Sequence, residues 1–143
     1  MIRIQISVVY LHAAVSKLSI QEWLNGTVIY YWFTHNNFGV NDAILPAILP
    51  LLENNWSVFL ITWAVLVLEL MLFAAILAPI KIKRVLLPLG VTFHFFTFII
   101  HGLGTFFLAM TAALILYLSK MANPIAISRM HFNFGLKKLS HYH

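Results

Sequence analysis

Between Trp56 and Ala78 the chain runs through a long apolar stretch in which Glu69 is the sole formal charge. Roughly 20 apolar residues suffice to cross the hydrocarbon core of a bilayer. Inside that core a spanning segment must satisfy its own backbone hydrogen bonds, which a helix does without help. A membrane helix is therefore predicted over 56–78, and the rest of the chain has to be compatible with it. It is: 62% of the residues are hydrophobic and 9% charged, well beyond the apolar share of about half in soluble domains.

Three further spans are predicted around this one. Ile4 to Ser19 reads as a first span, Val85 to Leu103 as a third and Thr105 to Ser119 as a fourth, with Gly102-Leu103-Gly104 as the tight break between the last two. A signal peptide is the competing reading of the N-terminus, but Lys17 interrupts the apolar run and no small-residue cleavage site stands out. Between the first two spans lies an aromatic segment with Pro46 and Pro50. Short interfacial helices are expected there, at Thr27–Thr34 and Ile44–Leu52, with Trp23, Trp32 and Trp56 at headgroup depth. The fold class is thus an all-α membrane protein of about four transmembrane helices. Residues 1–120 form the helical membrane domain and 121–143 a basic tail.

Charge sets the expected orientation. Arg3, the Lys81–Arg84 loop and the tail lie on one side of a four-span arrangement, and Glu22, Asp42 and Glu53 on the other. The positive-inside rule puts both termini in the cytoplasm of a multi-pass protein of the cell membrane. The basic residues are accounted for by topology, so nucleic acid is not an expected partner. The absence of cysteine excludes disulfides and thiolate metal sites.

Ionisable groups inside spans are costly and point to function by default. Lys17 and His101 fall near the outer ends of their helices, roughly one turn in, while His12, Glu69 and His94 lie deeper. His94 and His101, seven apart, share a helix face; His12 and Lys17, five apart, do so only loosely. A polar seam running from Glu69 through His12 and His94 to Lys17 and His101 is geometrically allowed. Each member also has a plain alternative: Lys17 can snorkel to the interface, Glu69 can be protonated or paired, and each histidine can make a single interhelical hydrogen bond. The histidines and Glu69 are competent metal ligands, but no HExxH or similar spacing is present and no metal is predicted. Proton transfer, with Lys17 as base, is the chemistry these residue types support best.

Tyr10, Ala13-Ala14, Lys17-Leu18, Trp23 and Gly26 resemble the motif of the vitamin K-dependent γ-carboxylase and its bacterial relatives, the horizontally transferred transmembrane (HTTM) family. A second block, Phe93-His94 followed by Gly102-Leu103-Gly104, Phe106-Phe107 and Met110, is similar to the family's phenylalanine-histidine helix and the segment after it. Glu69 sits in the helix between the blocks, where relatives often carry a glutamate. The resemblance covers roughly residues 4–119, about half of the family's helical domain, and Ala14 replaces the usual glycine. It implies that Lys17 is a catalytic base, with His94, His101, Glu69 and His12 around it, and that Trp23 and Gly26 border a cofactor, a quinone or hydroquinone. One bacterial branch, the membrane component of a sporulation-delaying toxin system, works with a soluble partner in maturing a secreted peptide toxin.

Three functions follow as expectations. The first is an enzyme-like protein that modifies or matures a secreted peptide, with the lysine base in an outward-facing polar pocket and carboxylase-like proton abstraction as its chemistry. The second is a non-enzymatic membrane subunit or immunity-type protein whose Trp23–Trp56 segment contacts a peptide or another membrane chain. A small proton or ion pathway along the polar seam is the third. The expected partners are the bilayer and either a second protein subunit or a secreted peptide.

Overall fold

The computed structural model describes residues 1–35, 39–40 and 43–119. These residues form seven helices, α1 (Ile2–Leu18), α2 (Gln21–Leu24), α3 (Val28–Phe33), α4 (Leu45–Glu53), α5 (Asn55–Ala74), α6 (Ile80–His101) and α7 (Gly104–Leu118). The basic tail lies outside the described residues, as does Asp42.

Among the described residues α5 and α6 are the two helices long and apolar enough to cross a membrane. The expectation of four such spans is corrected on this point. α7 has 15 residues, which at 1.5 Å per residue is about 22 Å, short of a hydrocarbon core of about 30 Å. α1 has 17 and carries Arg3, Gln5, His12 and Lys17. Only 33% of the apolar window of α5 and 17% of that of α6 is buried within the protein. Both helices therefore turn apolar surface outward, as lipid-embedded helices do and the core helix of a soluble domain does not.

The boundaries shift for local reasons. α6 begins at Ile80, so Lys81, Lys83 and Arg84, expected in a loop, occupy its first turn or so. Pro79 supplies the extended N-cap, and Lys83 Nζ turns back to the Ile76 carbonyl at 3.3 Å. At the other end Gly102, with φ +71°, closes α6 in the left-handed conformation that glycine adopts without strain. Asn54 caps α5 by accepting a hydrogen bond from the Trp56 amide at 3.0 Å.

α1, α5, α6 and α7 form an antiparallel bundle, and α2, α3 and α4 gather at the end where α5 begins. Two apolar cores result. One joins Ile6, Tyr10, Leu72, Leu86, Leu114 and Tyr117 within the bundle; the other joins Trp23, Val28, Ile29, Leu52, Val58 and Leu66 under the short helices. Gly90 lets α6 and α7 approach closely, since a Cβ there would meet Leu114 Cδ1 at 2.8 Å. Along α5, Glu69 falls between Leu66 of one core and Leu72 of the other.

Candidate functional site

Arg3, Ser7, Tyr10, Ala14 and Lys17 recur at intervals of three and four and so fall on one face of α1. Four of the five make a side-chain hydrogen bond to a different part of the bundle. Arg3 Nη2 donates to the Ser119 carbonyl at the end of α7 (3.0 Å), and Ser7 Oγ to the Phe73 carbonyl near the end of α5 (3.0 Å). Tyr10 Oη and His94 Nε2 of α6 share a hydrogen bond at 3.1 Å. Lys17 Nζ donates to Glu69 Oε1 of α5 at 2.7 Å and to the Ala13 carbonyl at 3.3 Å. Ala14, fully buried, leaves room between them.

The lower bonds have a simple cause. The last carbonyls of a helix lack intrahelical partners, and those of α5 are met by side chains from two neighbours. Tyr117 Oη donates to the Leu72 carbonyl (2.9 Å) and the Phe73 carbonyl (3.2 Å), beside the bond from Ser7.

The ion pair is sealed. The side chains of Lys17 and Glu69 are 18% and 7% exposed. The ring of Trp23, 1% exposed, lies over the ammonium with its centroid 5.3 Å away, a distance at which the ring face attracts a cation. Trp23 is held edge-on to Trp32 (5.6 Å between centroids). Gly26, at φ +73°, then turns the chain back toward α5: its carbonyl accepts from Thr62 Oγ1 at 3.2 Å, and a Cβ there would lie 2.4 Å from Phe59 Cδ2. Trp23 and Gly26 thus form the cover of the ion pair.

This overturns the outward-facing polar pocket. Lys17 is paired inward with Glu69 in the protein interior, and the five polar residues do not converge. His94 is buried against Tyr10 and against Phe106 (ring centroids 5.4 Å). His101 packs edge-on against Trp32 (6.2 Å) and Phe33 (5.7 Å). His12 is exposed, on the side of α1 away from the bonded face. Side chains on a helix lean toward its N-terminus. α1 and α5 are antiparallel, so Lys17 leans down toward mid-bundle while Glu69 leans up, and heads meet whose Cα atoms stand at different levels. Trp23 sits in the protein interior, whereas Trp32 and Trp56 are exposed.

Tyr10, Ser7, Arg3 and Tyr117 are the members of this network that site reasoning passed over. Spacing was the available signal for three of them, since Lys17 extends their three-and-four series; Tyr117 had none. Within this network three buried polar atoms, Arg3 Nε, Glu69 Oε2 and His94 Nδ1, have no hydrogen-bond partner among the described residues. For His94 this holds in either tautomer, because Nε2 already faces Tyr10. No group of three or more metal-ligating side chains occurs among the described residues. Nothing in the arrangement of the described residues is specific to a quinone.

The chain matches the HTTM domain over residues 1–121. It is 41% identical over 127 residues to the sporulation-delaying protein SdpB of Bacillus subtilis, covering 89% of this chain and 39% of that protein. It is 36% identical over 140 residues to the uncharacterized protein YitO of the same organism, covering 96% of this chain and 45% of YitO. The chain therefore spans less than half the length of these curated relatives. No solved structure matches it. The residues that carried the resemblance are those that pair in the fold, Tyr10 with His94 and Lys17 with Glu69 under Trp23, and the chain belongs to the HTTM domain family.

Proposed function

We propose that this chain is the membrane-embedded subunit of a system that handles a secreted peptide, and that its part is to hold a peptide or a partner subunit at the α2–α4 end. The sealed Lys17–Glu69 pair is the observation that carries this reading. An ammonium held by a carboxylate, a carbonyl and an indole ring is engaged in fastening α1 and α2 to α5. What it fastens is a platform of exposed rings, Tyr30, Tyr31, Trp32 and Trp56, the last 74% exposed. Aromatic side chains with one apolar and one polar end are enriched at protein interfaces. Likeness to a protein named for delaying sporulation, and the toxin-maturation role that the resemblance implies, support a peptide as the object of the system.

In this reading the four bundle helices carry the chain across the cell membrane, α5 and α6 at full length and the shorter α1 and α7 beside them, so that the α2–α4 end faces outward and both termini are cytoplasmic. The charges support that orientation: no lysine or arginine occurs between Lys17 and Lys81.

The test is purification of the full chain in mild detergent from its native host, with mass spectrometry of what remains bound. Trp32→Ala and Trp56→Ala are expected to lose a bound peptide or subunit at unchanged protein level. Lys17→Arg, where it accumulates as folded protein, is expected to retain it. Retention by both aromatic variants together with loss by folded Lys17→Arg overturns the reading.

A further inference from the structure

The α2–α4 end carries a groove, about 730 Å³ in volume and open along one side, between the Asn25–Tyr31 segment and the junction of α4 with α5. Its lining includes Tyr30, Tyr31, Trp56 and Phe59 together with Glu53 and Asn55. The rings come as two edge-on pairs, Tyr30 with Tyr31 (5.7 Å) and Trp56 with Phe59 (6.2 Å), so ring faces as well as edges are presented. Glu53 is exposed and its carboxylate takes part in no ion pair or hydrogen bond among the described residues.

We infer that this groove binds a peptide segment through a basic side chain, the cation lying among the aromatic rings and bonded to Glu53. The inference rests on the reading of the chain as a peptide-holding subunit and names the chemistry of what it holds. Charge complementarity selects a cation: the whole stretch from Leu18 to Ile80 carries acidic residues and no lysine or arginine, so the groove has no cation of its own to answer Glu53. The rings add to the selection, because aromatic faces attract ammonium and guanidinium groups, and a carboxylate forms its strongest hydrogen bonds with such donors. A peptide is favoured over a compact cation by the shape. The open side admits a chain running through, the apolar ring bodies take its non-polar side chains, and the Asn55 amide can both donate to and accept from a peptide backbone. The groove shares Gly26 with the cover of the Lys17–Glu69 pair, but neither charged residue of the pair lines it.

The test places the full chain in nanodiscs of phosphatidylcholine and measures fluorescence anisotropy of a labelled model peptide, a single lysine flanked by leucines. The comparison peptide carries acetyl-lysine at the same position. Tighter binding of the lysine peptide by about tenfold is expected, as is loss of that preference in Glu53→Gln, which alters an exposed side chain and leaves the packing alone. Trp56→Ala is expected to weaken both peptides. Equal binding of the two peptides, abolished in Trp56→Ala, overturns the basic-side-chain specificity while leaving the peptide-holding reading intact. Binding of neither peptide overturns both. Discs containing lysyl-phosphatidylglycerol supply the remaining arm: if that headgroup displaces the lysine peptide fully at equimolar concentration, the groove is a lipid site and the inference fails.

Discussion

Lys17 and Glu69 hold each other at 2.7 Å with little of either side chain exposed. Removing one partner of a buried pair leaves an uncompensated charge and costs about 3–5 kcal/mol, while replacing both with apolar groups of similar size is often neutral or better. Lys17→Met is therefore expected to lower the thermal midpoint of the detergent-solubilised chain sharply, and Lys17→Met with Glu69→Leu to restore most of the loss. A double variant as unstable as the single one would show that the pair does not set the stability of the α1–α5 contact. The same logic at lower stakes applies to Tyr10. Tyr10→Phe removes one hydrogen bond and leaves both ring nitrogens of His94 without a partner among the described residues, an expected loss of about 1–3 kcal/mol, readable in the same melting experiment. Both charged residues could be picked out from sequence, because a formal charge in an apolar run is visible there. Their pairing was not legible, since it depends on the lean of two long side chains across antiparallel helices and on an indole ring arriving from a segment that reads as interfacial.

Helix ends were legible wherever a residue dictates them. Gly102 breaks the chain where Gly-Leu-Gly said it would, and α3 and α4 lie within a residue or so of their expected limits. α2 and the start of α6 were missed for one shared reason: polar side chains were read as loop, although a helix that begins at Ile80 carries Lys81 and Arg84 exposed and folds Lys83 back onto the Ile76 carbonyl. The two left-handed glycines allow a test of how much a turn depends on its surroundings. Alanine in this conformation costs roughly 1–2 kcal/mol at either position. Around Gly102 nothing lies within 4 Å of a new Cβ, while at Gly26 the Phe59 ring is in the way at 2.4 Å. Gly26→Ala is expected to be the more destabilising by melting, and also to raise the accessibility of Trp23 to aqueous quenchers, because that turn holds the cover on the ion pair. Gly102→Ala should leave Trp23 fluorescence unchanged. Equal effects of the two substitutions on Trp23 would separate the turn from the cover.

For the molecule as a whole, the question is how a bundle with two helices of spanning length sits in a bilayer when its other two bundle helices are shorter. A short helix is accommodated by local thinning of the bilayer or by side chains reaching to the interface, and the shorter helices here are at one end supplemented by α2, which packs against α1, and by α3, which packs against α5. Arg3 and Lys83 sit at the opposite end, both folded back onto helix-end carbonyls. That distribution predicts one orientation, and the absence of cysteine makes it directly measurable. Single cysteines at Tyr31, Leu103 and Leu77, all exposed, report the two ends. With a membrane-impermeant maleimide applied to intact cells, Tyr31→Cys and Leu103→Cys are expected to label, and Leu77→Cys only after permeabilisation. The reverse pattern would turn the aromatic platform toward the cytoplasm and remove secreted peptides from its reach. Labelling of Leu103→Cys without Tyr31→Cys would mean that α5 does not cross with α6, because the start of α5 and the end of α6 would then lie on opposite sides of the membrane.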